Sequence, residues 1–388
     1  MRRFWIFLHV FTLLCQVPFA IGLYHGLSLL AVPGATALAI GAGALAAALL
    51  RVPVRRAMVD QPYQSRLRPF GEELYDAHWC GALGGALLFV IGLAALTLGG
   101  AASAGAPALT VGGLALGSYA TGLTCGLYGV FIRRRWVRVR TLDVEIPGLA
   151  PTFDGYRIVQ LSDLHVGSMC PRERVDAWVA RANTLDADLV ALTGDYVTSG
   201  TAFHRDIAGA LGGLEARDGV FAVMGNHDYF GDGEPLITLM REAGIIVLRN
   251  EHTQVTRGGA RLTVAGVDDT WTRRADVTSA VAGRDPALPM VALAHDPALF
   301  PRLAQKGAAL VLSGHTHWGQ VAAPILPTRH NLARLAFRFH AGLYREGSAT
   351  LYVHPGMGTT GPPIRLGAPP EITVLRLRRP PTEARAAA

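Results

Sequence analysis

Two long stretches of this 388-residue sequence lack charge altogether: Phe4–Leu50 and Cys80–Ile132 contain no Lys, Arg, Asp or Glu. Helices of soluble domains typically run about 8–20 residues, so an ordinary soluble core is excluded for these stretches. A membrane-spanning helix needs about 20 apolar residues. Each stretch therefore predicts two spans and a turn, and residues 1–140 are expected to form an anchor of about four transmembrane helices. Tyr24-His25-Gly26 is the expected turn of the first pair, and the small residues of Gly99–Pro107 that of the second. The apparent spans hold no Lys, Arg, Asp or Glu that could line a polar path, which argues against a transporter. Cysteine is scarce too. Cys15, Cys80, Cys125 and Cys170 form no C-x-x-C pair, which excludes a disulfide framework and a thiolate zinc site. Internal repeats are absent.

Charge is unevenly divided. Residues 1–140 carry 12 Arg against four acids, whereas residues 141–388 carry 24 basic against 25 acidic side chains. The basic balance belongs to the anchor, and the rest of the chain is close to neutral. That speaks against an electrostatic nucleic-acid footprint, which needs a basic face on the binding domain, and so against a metallo-nuclease. Within the anchor, Arg2 and Arg3 precede the first span. Arg51, Arg55, Arg56, Arg66 and Arg68 follow the second, and Arg133, Arg134, Arg135, Arg138 and Arg140 follow the fourth. The intervening turns have none. The positive-inside rule then places the N-terminus, the middle loop and residues 141–388 in the cytoplasm of a multi-pass cell-membrane protein. A twin-arginine signal peptide over residues 1–23 is the rival reading. No A-x-A cleavage site follows it, and three further spans do.

From Tyr156 onward, short β-branched runs alternate with helical ones. Tyr156–Leu161, Leu189–Leu192, Val220–Met224, Val291–Ala294 and Ala309–Leu312 read as buried strands. Arg172–Asn183, Arg205–Leu214, Pro235–Ala243 and Pro297–Gln305 read as helices. The alternation predicts an α/β domain with a largely parallel sheet. Ile246–Val267 is more β-rich and is expected to lead into a second sheet. Residues 379–388 read as a disordered tail.

Five polar clusters fall at the ends of those strands, where open α/β sheets place their sites. They are Asp163-x-His165, Gly194-Asp195, Gly225-Asn226-His227-Asp228, His295-Asp296 and Gly314-His315-Thr316-His317. Asp, Asn and His are hard and borderline ligands, suited to Mn, Fe or Zn. A lone His at a strand end is usually a hydrogen-bonded core residue. A chance G-H-T-H match has odds on the order of one in 10⁵ per window, at about 1/20 per residue. Five such clusters in order, each after a strand, exclude coincidence.

The series D-L-H, T-G-D, G-N-H-D, A-H-D and G-H-T-H resembles the calcineurin-like metallophosphoesterase superfamily. The C-terminal stretch Tyr352–Leu377 is similar to its membrane-anchored bacterial branch. The likeness covers residues 141–378. It implies a four-layer α/β/β/α sandwich and two divalent ions, Mn, Zn or Fe, sharing one carboxylate. By resemblance, Asp163, His165, Asp195 and His317 hold the first ion. Asp195, Asn226, His295 and His315 hold the second, and His227 acts on the substrate. Two such ions can clamp the phosphoryl oxygens of an in-line displacement, and a free imidazole can protonate the leaving oxygen.

Two departures from the family pattern matter. Phosphoprotein phosphatases of this superfamily place an Asp three residues beyond the bridging one, then an Arg. Here Thr198 is followed by Ser199-Gly200, so phosphodiesters and pyrophosphates are favoured over phosphoproteins, and the partner of His227 is open. Asp228 is adjacent, but neighbours on an extended chain point apart. Trp318 stands where many relatives have Gly; it either narrows the pocket around a substrate group or packs in the core. Arg365 either grips phosphate through its planar fork or forms a salt bridge. His204, His252, His330, His340 and His354 have no partner at useful spacing. Leu332, Leu335, Ala336, Phe339 and Leu343 recur at helical spacing, with Arg334, Arg338 and Arg345 opposite. That pattern fits an amphipathic helix lying on the lipid bilayer or one packed on the domain's own core. A specific substrate candidate is the pyrophosphate of a UDP-linked diacyl sugar, cleaved by some membrane-tethered relatives in lipid A synthesis. A catalytically silent membrane scaffold is the alternative of another class, and the intact ligand set opposes it.

Overall fold

The computed structural model describes residues 2–58, 60–62, 67–98 and 108–381, and these form two compact units. The expected turn at 99–107, Arg66 of the basic loop and the tail from 382 lie outside the described residues. The first unit is helical: α1 (Arg2–Leu29), α2 (Ala35–Leu49), α3 (Arg51–Met58), α4 (Leu67–Leu98) and α5 (Ala108–Leu127). Four helical stretches are long and apolar enough to cross a membrane, namely Ile6–Leu29, Ala35–Val54, Leu67–Leu98 and Thr110–Arg135. Leu38, Ile40 and Leu45 on α2 and Leu87, Val90 and Ile91 on α4 point away from the unit, an arrangement that hydrocarbon favours and water does not.

Small residues let the backbones of α4 and α5 touch. A Cβ on Gly122 would lie 2.2 Å from the Gly81 carbonyl oxygen, the close approach typical of helix pairs in lipid. His78 on α4 links α1 and α5, 3.1 Å from Gln16 and 2.8 Å from the Tyr119 hydroxyl. Two expectations are corrected here. Tyr24-His25-Gly26 does not turn the chain but lies inside α1. The turn comes at Leu30–Gly34, where Pro33 cannot continue a helix and Gly34 adopts φ 73°, a conformation glycine tolerates. The third long helix also starts at Leu67, well before Cys80, and so carries buried Glu72, Glu73 and Asp76. Glu73 is ion-paired with buried Arg134.

The second unit joins residues 60–62 to 135–360 and 365–381. Its strands are β1 (Arg138–Glu145), β2 (Arg157–Leu161), β3 (Leu189–Thr193), β4 (Val220–Val223), β5 (Ile246–Val247), β6 (Glu251–Arg257), β7 (Ala260–Val267), β8 (Met290–Ala294), β9 (Leu310–Ser313), β10 (Gly342–Glu346), β11 (Ala349–Val353) and β12 (Glu371–Arg378). They form two six-stranded sheets, β1-β12-β2-β3-β4-β5 and β10-β11-β9-β8-β7-β6. Most neighbours are parallel. The pairs β12–β2, β6–β7 and β10–β11 are antiparallel.

Strand alternation sorts the side chains into layers. Ile158, Leu189, Phe221 and Val223 of the first sheet meet Val264, Val291, Leu293, Leu310 and Tyr352 of the second in one buried cluster. The opposite face of the first sheet packs on α6 (Arg172–Asn183), α7 (His204–Leu211) and α8 (Glu234–Glu242), through residues such as Trp178, Ile207 and Met240. The opposite face of the second sheet packs on α9 (Val277–Ala280) and α10 (Phe300–Gln305), through Val277, Phe300 and Leu303. The result is a four-layer α/β/β/α sandwich.

The amphipathic helix expected at 332–343 does not form. Leu332–Leu335 is a single 3-10 turn, whose Asn331 side chain accepts a hydrogen bond from the Arg334 amide. Phe339 is buried against Phe300 and Tyr344, with ring centroids 5.5 and 5.2 Å away. Gly342 at φ 74° then opens β10. Leu332 and Leu335 stay exposed.

Phe221 is 2% exposed between the two sheets. Phe221→Ala is expected to cost about 3–5 kcal/mol, read as a lowered melting temperature, while the metal bound at low temperature is unchanged. An unaltered melting point would contradict the inter-sheet core.

Candidate metal centre

The strands end, and the polar turns begin. β2 runs into Asp163 and His165, β3 into Asp195, β4 into Asn226 and His227, β8 into His295, and β9 into His315 and His317. Asp163, His165, Asp195, His315 and His317 have φ of 53°, 48°, 57°, 70° and 51°. Non-glycine residues seldom adopt this region, and such strain gathers at functional sites. Glycines make room beside them. A Cβ on Gly225 would sit 2.2 Å from Asp195 Oδ1, and one on Gly314 would sit 2.3 Å from Asp163 Oδ2.

These turns bring the expected ligands together. Asp163, His165, Asp195 and His317 form one cluster, and Asp195, His295 and His315 a second, with donor atoms in each cluster within 4.8 Å of one another. Asp195 is common to both. Its Oδ2 lies 3.5 Å from His165 Nε2 and 3.2 Å from His295 Nε2. His165 and His317 face each other nitrogen to nitrogen at 3.0 Å. His295 donates Nδ1–H to the Thr193 carbonyl at 2.7 Å, which turns Nε2 inward. Asn226 is 4% exposed, and its Oδ1 has no hydrogen-bond partner. Asp163 Oδ2 and His315 Nε2 are likewise buried without one. Buried polar atoms left this way are costly, and oxygens and imidazole nitrogens converging on one space fit a divalent cation.

The electrostatics agree with that fit. Burial, then the neighbouring His227, pushes His165 down to about 3. Burial and His295 push His315 down to about 4, and burial and His165 hold His317 well below the usual histidine range. Neutral imidazole is the form that binds a metal. His295 runs the other way: burial acts to lower it, but the Asp195 carboxylate in contact raises it to about 10.

His227 has a different setting. Its Nδ1 is 2.6 Å from the Thr198 carbonyl oxygen. A carbonyl can only accept, so Nδ1 carries the proton and Nε2 is left for other work. Thr198 thus serves His227 through its backbone carbonyl. Asp228 sits in a 3-10 turn rather than an extended chain. It points back under the site and accepts from the Asp195, Tyr196, Val197 and Gly225 amides at 2.9, 2.6, 3.2 and 2.8 Å. Another anchor is Asp60, which accepts from the Ser168 amide and donates its own amide to the Ser199 hydroxyl, both at 3.0 Å.

Arg365 and Trp318, each read from sequence as either a substrate contact or a structural residue, take structural positions. Arg365 is fully buried. Its guanidinium donates to the carbonyls of Pro355, Gly358 and Ala368 and lies 3.2 Å from His317 Nδ1, so it braces the site from behind. Trp318 is also fully buried. It packs with Ala341 and Ala368, and its indole donates to the Val353 carbonyl at 3.0 Å. The open side is instead a cavity of about 430 Å³ that reaches Asp195, Asn226, His227 and His315 and is walled by Phe230, Trp271 and Phe337. Trp271 and Phe337 lie 5.4 and 5.3 Å from the His315 ring, and Phe230 lies 4.6 Å from that of His227. His204, His252, His330, His340 and His354 fall in neither ligand cluster.

The family model of calcineurin-like phosphoesterases matches residues 156–319. A Bos taurus transmembrane protein with metallophosphoesterase domain is 35% identical over 260 residues, or 63% of this chain and 57% of that protein. An uncharacterized metallophosphoesterase of Helicobacter pylori is 32% identical over 269 residues, 68% of each chain. One from Aquifex aeolicus is 30% identical over 250 residues, 63% of this chain and 92% of the other. The chain spans 57% of the length of the bovine relative and of a similar one from Danio rerio.

Asp195→Asn is expected to lose most of the bound metal by elemental analysis, because both clusters share that carboxylate. His165→Ala should lose less. Two full equivalents of metal in Asp195→Asn would remove Asp195 from the shared position.

Proposed function

Since the chain belongs to the calcineurin-like metallophosphoesterase family, we propose that it is a metal-dependent phosphoesterase that uses two divalent ions to hydrolyse phosphodiester or pyrophosphate bonds. The observation that carries this reading is Asp195, shared by two ligand clusters beside a histidine that belongs to neither. Asp163, His165, Asp195 and His317 would hold one ion, and Asp195, Asn226, His295 and His315 the other. Bound there, the ions supply Lewis-acid polarisation of the phosphoryl oxygens and of the attacking water.

The residues supply position and a proton. With Nδ1–H held on the Thr198 carbonyl, the proton that His227 exchanges with substrate is the one at Nε2. A protonated Nε2 delivers it to the leaving oxygen as the bond to phosphorus breaks. Among the described residues, no Arg or Lys lines the cavity. A monoester dianion would want such a clamp, and a diester with one negative charge needs it less. The aromatic walls favour a substrate with a flat ring or an apolar chain on either side of the phosphate. A UDP-linked diacyl sugar has both, and it is the specific substrate we propose. The four apolar helices support a membrane location, and the arginine asymmetry supports a cytoplasmic catalytic unit.

His227→Ala should keep its metal and lose turnover by about 10²–10⁴-fold on an alkyl-type phosphodiester. The loss should shrink for a nitrophenyl diester, whose leaving group needs no proton. Equal losses on both substrates would end the general-acid role, and no hydrolysis of diester or pyrophosphate with Mn²⁺ would end the substrate reading.

Orientation has its own test. A C-terminal reporter that works only outside the cytoplasm should be silent, and one that works inside should be active. The opposite pattern would reverse the topology.

A further inference from the structure

The segment 321–345 carries Arg329, Arg334, Arg338 and Arg345 and no Asp or Glu. It bounds two cavities. Phe337 walls the metal-site cavity, while a second cavity of about 690 Å³ is lined by Arg140, Arg329, Arg334, His330, His340 and Leu343. The two are joined through Thr316, between His315 and His317, whose hydroxyl donates to the His340 carbonyl at 2.9 Å.

The second cavity is strongly basic and, among the described residues, has no acidic side chain on its wall. Among the described residues, Arg140, Arg329 and Arg334 take part in no ion pair. Arg334 Nη1 reaches only the Arg329 carbonyl, at 3.4 Å. Three arginines lining one space repel one another unless an anion stands between them, and their planar forks suit phosphate. Burial and the charge of Arg334 hold His340 below the usual histidine range, in keeping with a positive potential.

The same segment leaves apolar side chains in solvent. Leu335 is 86% exposed, Ile325 77%, Leu332 54%, Leu326 50% and Leu343 45%. A free phosphate gains nothing from such residues. A phosphate carrying acyl chains does, because cationic groups meet its headgroup and leucines enter the hydrocarbon boundary. Arg140 also follows Arg135, the last residue of the fourth apolar stretch, by only five residues.

We propose that this second cavity binds the phosphate of an anionic phospholipid, with Leu332, Leu335 and Leu343 inserted beside its acyl chains. The site needs neither metal nor turnover, so it stands or falls apart from the phosphoesterase reading. Full-length protein in a neutral detergent is titrated with dihexanoyl phosphatidylglycerol, dihexanoyl phosphatidylcholine and inorganic phosphate, with binding read by calorimetry. Phosphatidylglycerol should bind saturably, about tenfold or more tighter than the other two. Arg329→Gln with Arg334→Gln should weaken it at least tenfold, and Arg140→Gln, on a different element, should weaken it independently if the double variant does not fold. Leu332→Asp with Leu335→Asp should weaken phosphatidylglycerol but not inorganic phosphate. Full affinity in both arginine variants would overturn the cavity. Phosphate binding as tight as phosphatidylglycerol, or no phosphatidylglycerol binding at all, would overturn the lipid.

Discussion

Asp195 has to serve two clusters of imidazoles at once, and a carboxylate can do so only if its backbone is held still. The turn that carries it is left-handed, with φ 57°, and one to three kcal/mol of strain is the order expected at each such residue. Asp228 offsets this from below by gathering four amides onto one carboxylate, those of Asp195 and its two successors among them. Burial, then the Asp195 charge, lifts Asp228 to about 7. Cations entering above Asp195 would offset part of the negative charge that Asp195 and Asp228 place in this buried volume. The parallel strands beneath it deliver the remaining ligands to the same end of the sandwich.

Much of this was legible in the residues, and the reason is local. A helix over Arg172–Asn183 and strands at Leu189 and Val220 follow from apolar runs and their spacing, and the ligand turns are contiguous motifs of two to four residues. What was not legible depends on which side chain faces which. Leu332 to Leu343 has a helical rhythm, yet Phe339 gains more by burying its ring against Phe300, and Gly342 breaks the pattern. Trp318 looks like a pocket residue because it follows the ligand His317 in sequence, and Arg365 because its planar fork suits phosphate. Full burial assigns them to the wall behind His317. Phe230, Trp271 and Phe337 carry no motif, and they come to the rim only through the fold. Asp228 did carry a signal, as the fourth residue of G-N-H-D. An extended chain would turn it away from the site, whereas the 3-10 turn that forms brings it beneath Asp195.

The two units rest on different physics. In the helical one, glycine lets backbones touch, and polar side chains such as His78 link helices whose outer faces are apolar. Contact between backbones and a few hydrogen bonds replace the hydrophobic drive that lipid cannot supply. In the sandwich, apolar layers on both faces of both sheets supply that drive, so the strained turns at the strand ends sit on a rigid base.

Asp60 lies in the loop between α3 and α4, yet its contacts belong to the sandwich. The Ser168 amide and the Ser199 hydroxyl that it meets are 108 and 139 residues further along the chain. During synthesis at about 5–20 residues per second, the loop emerges some 5–30 s before its partners exist. The sandwich therefore depends on a segment made well before any of its own strands. It has to recapture a piece of chain already committed between two apolar hairpins. Evolution or engineering that swaps the helices as a block would carry that piece away with them.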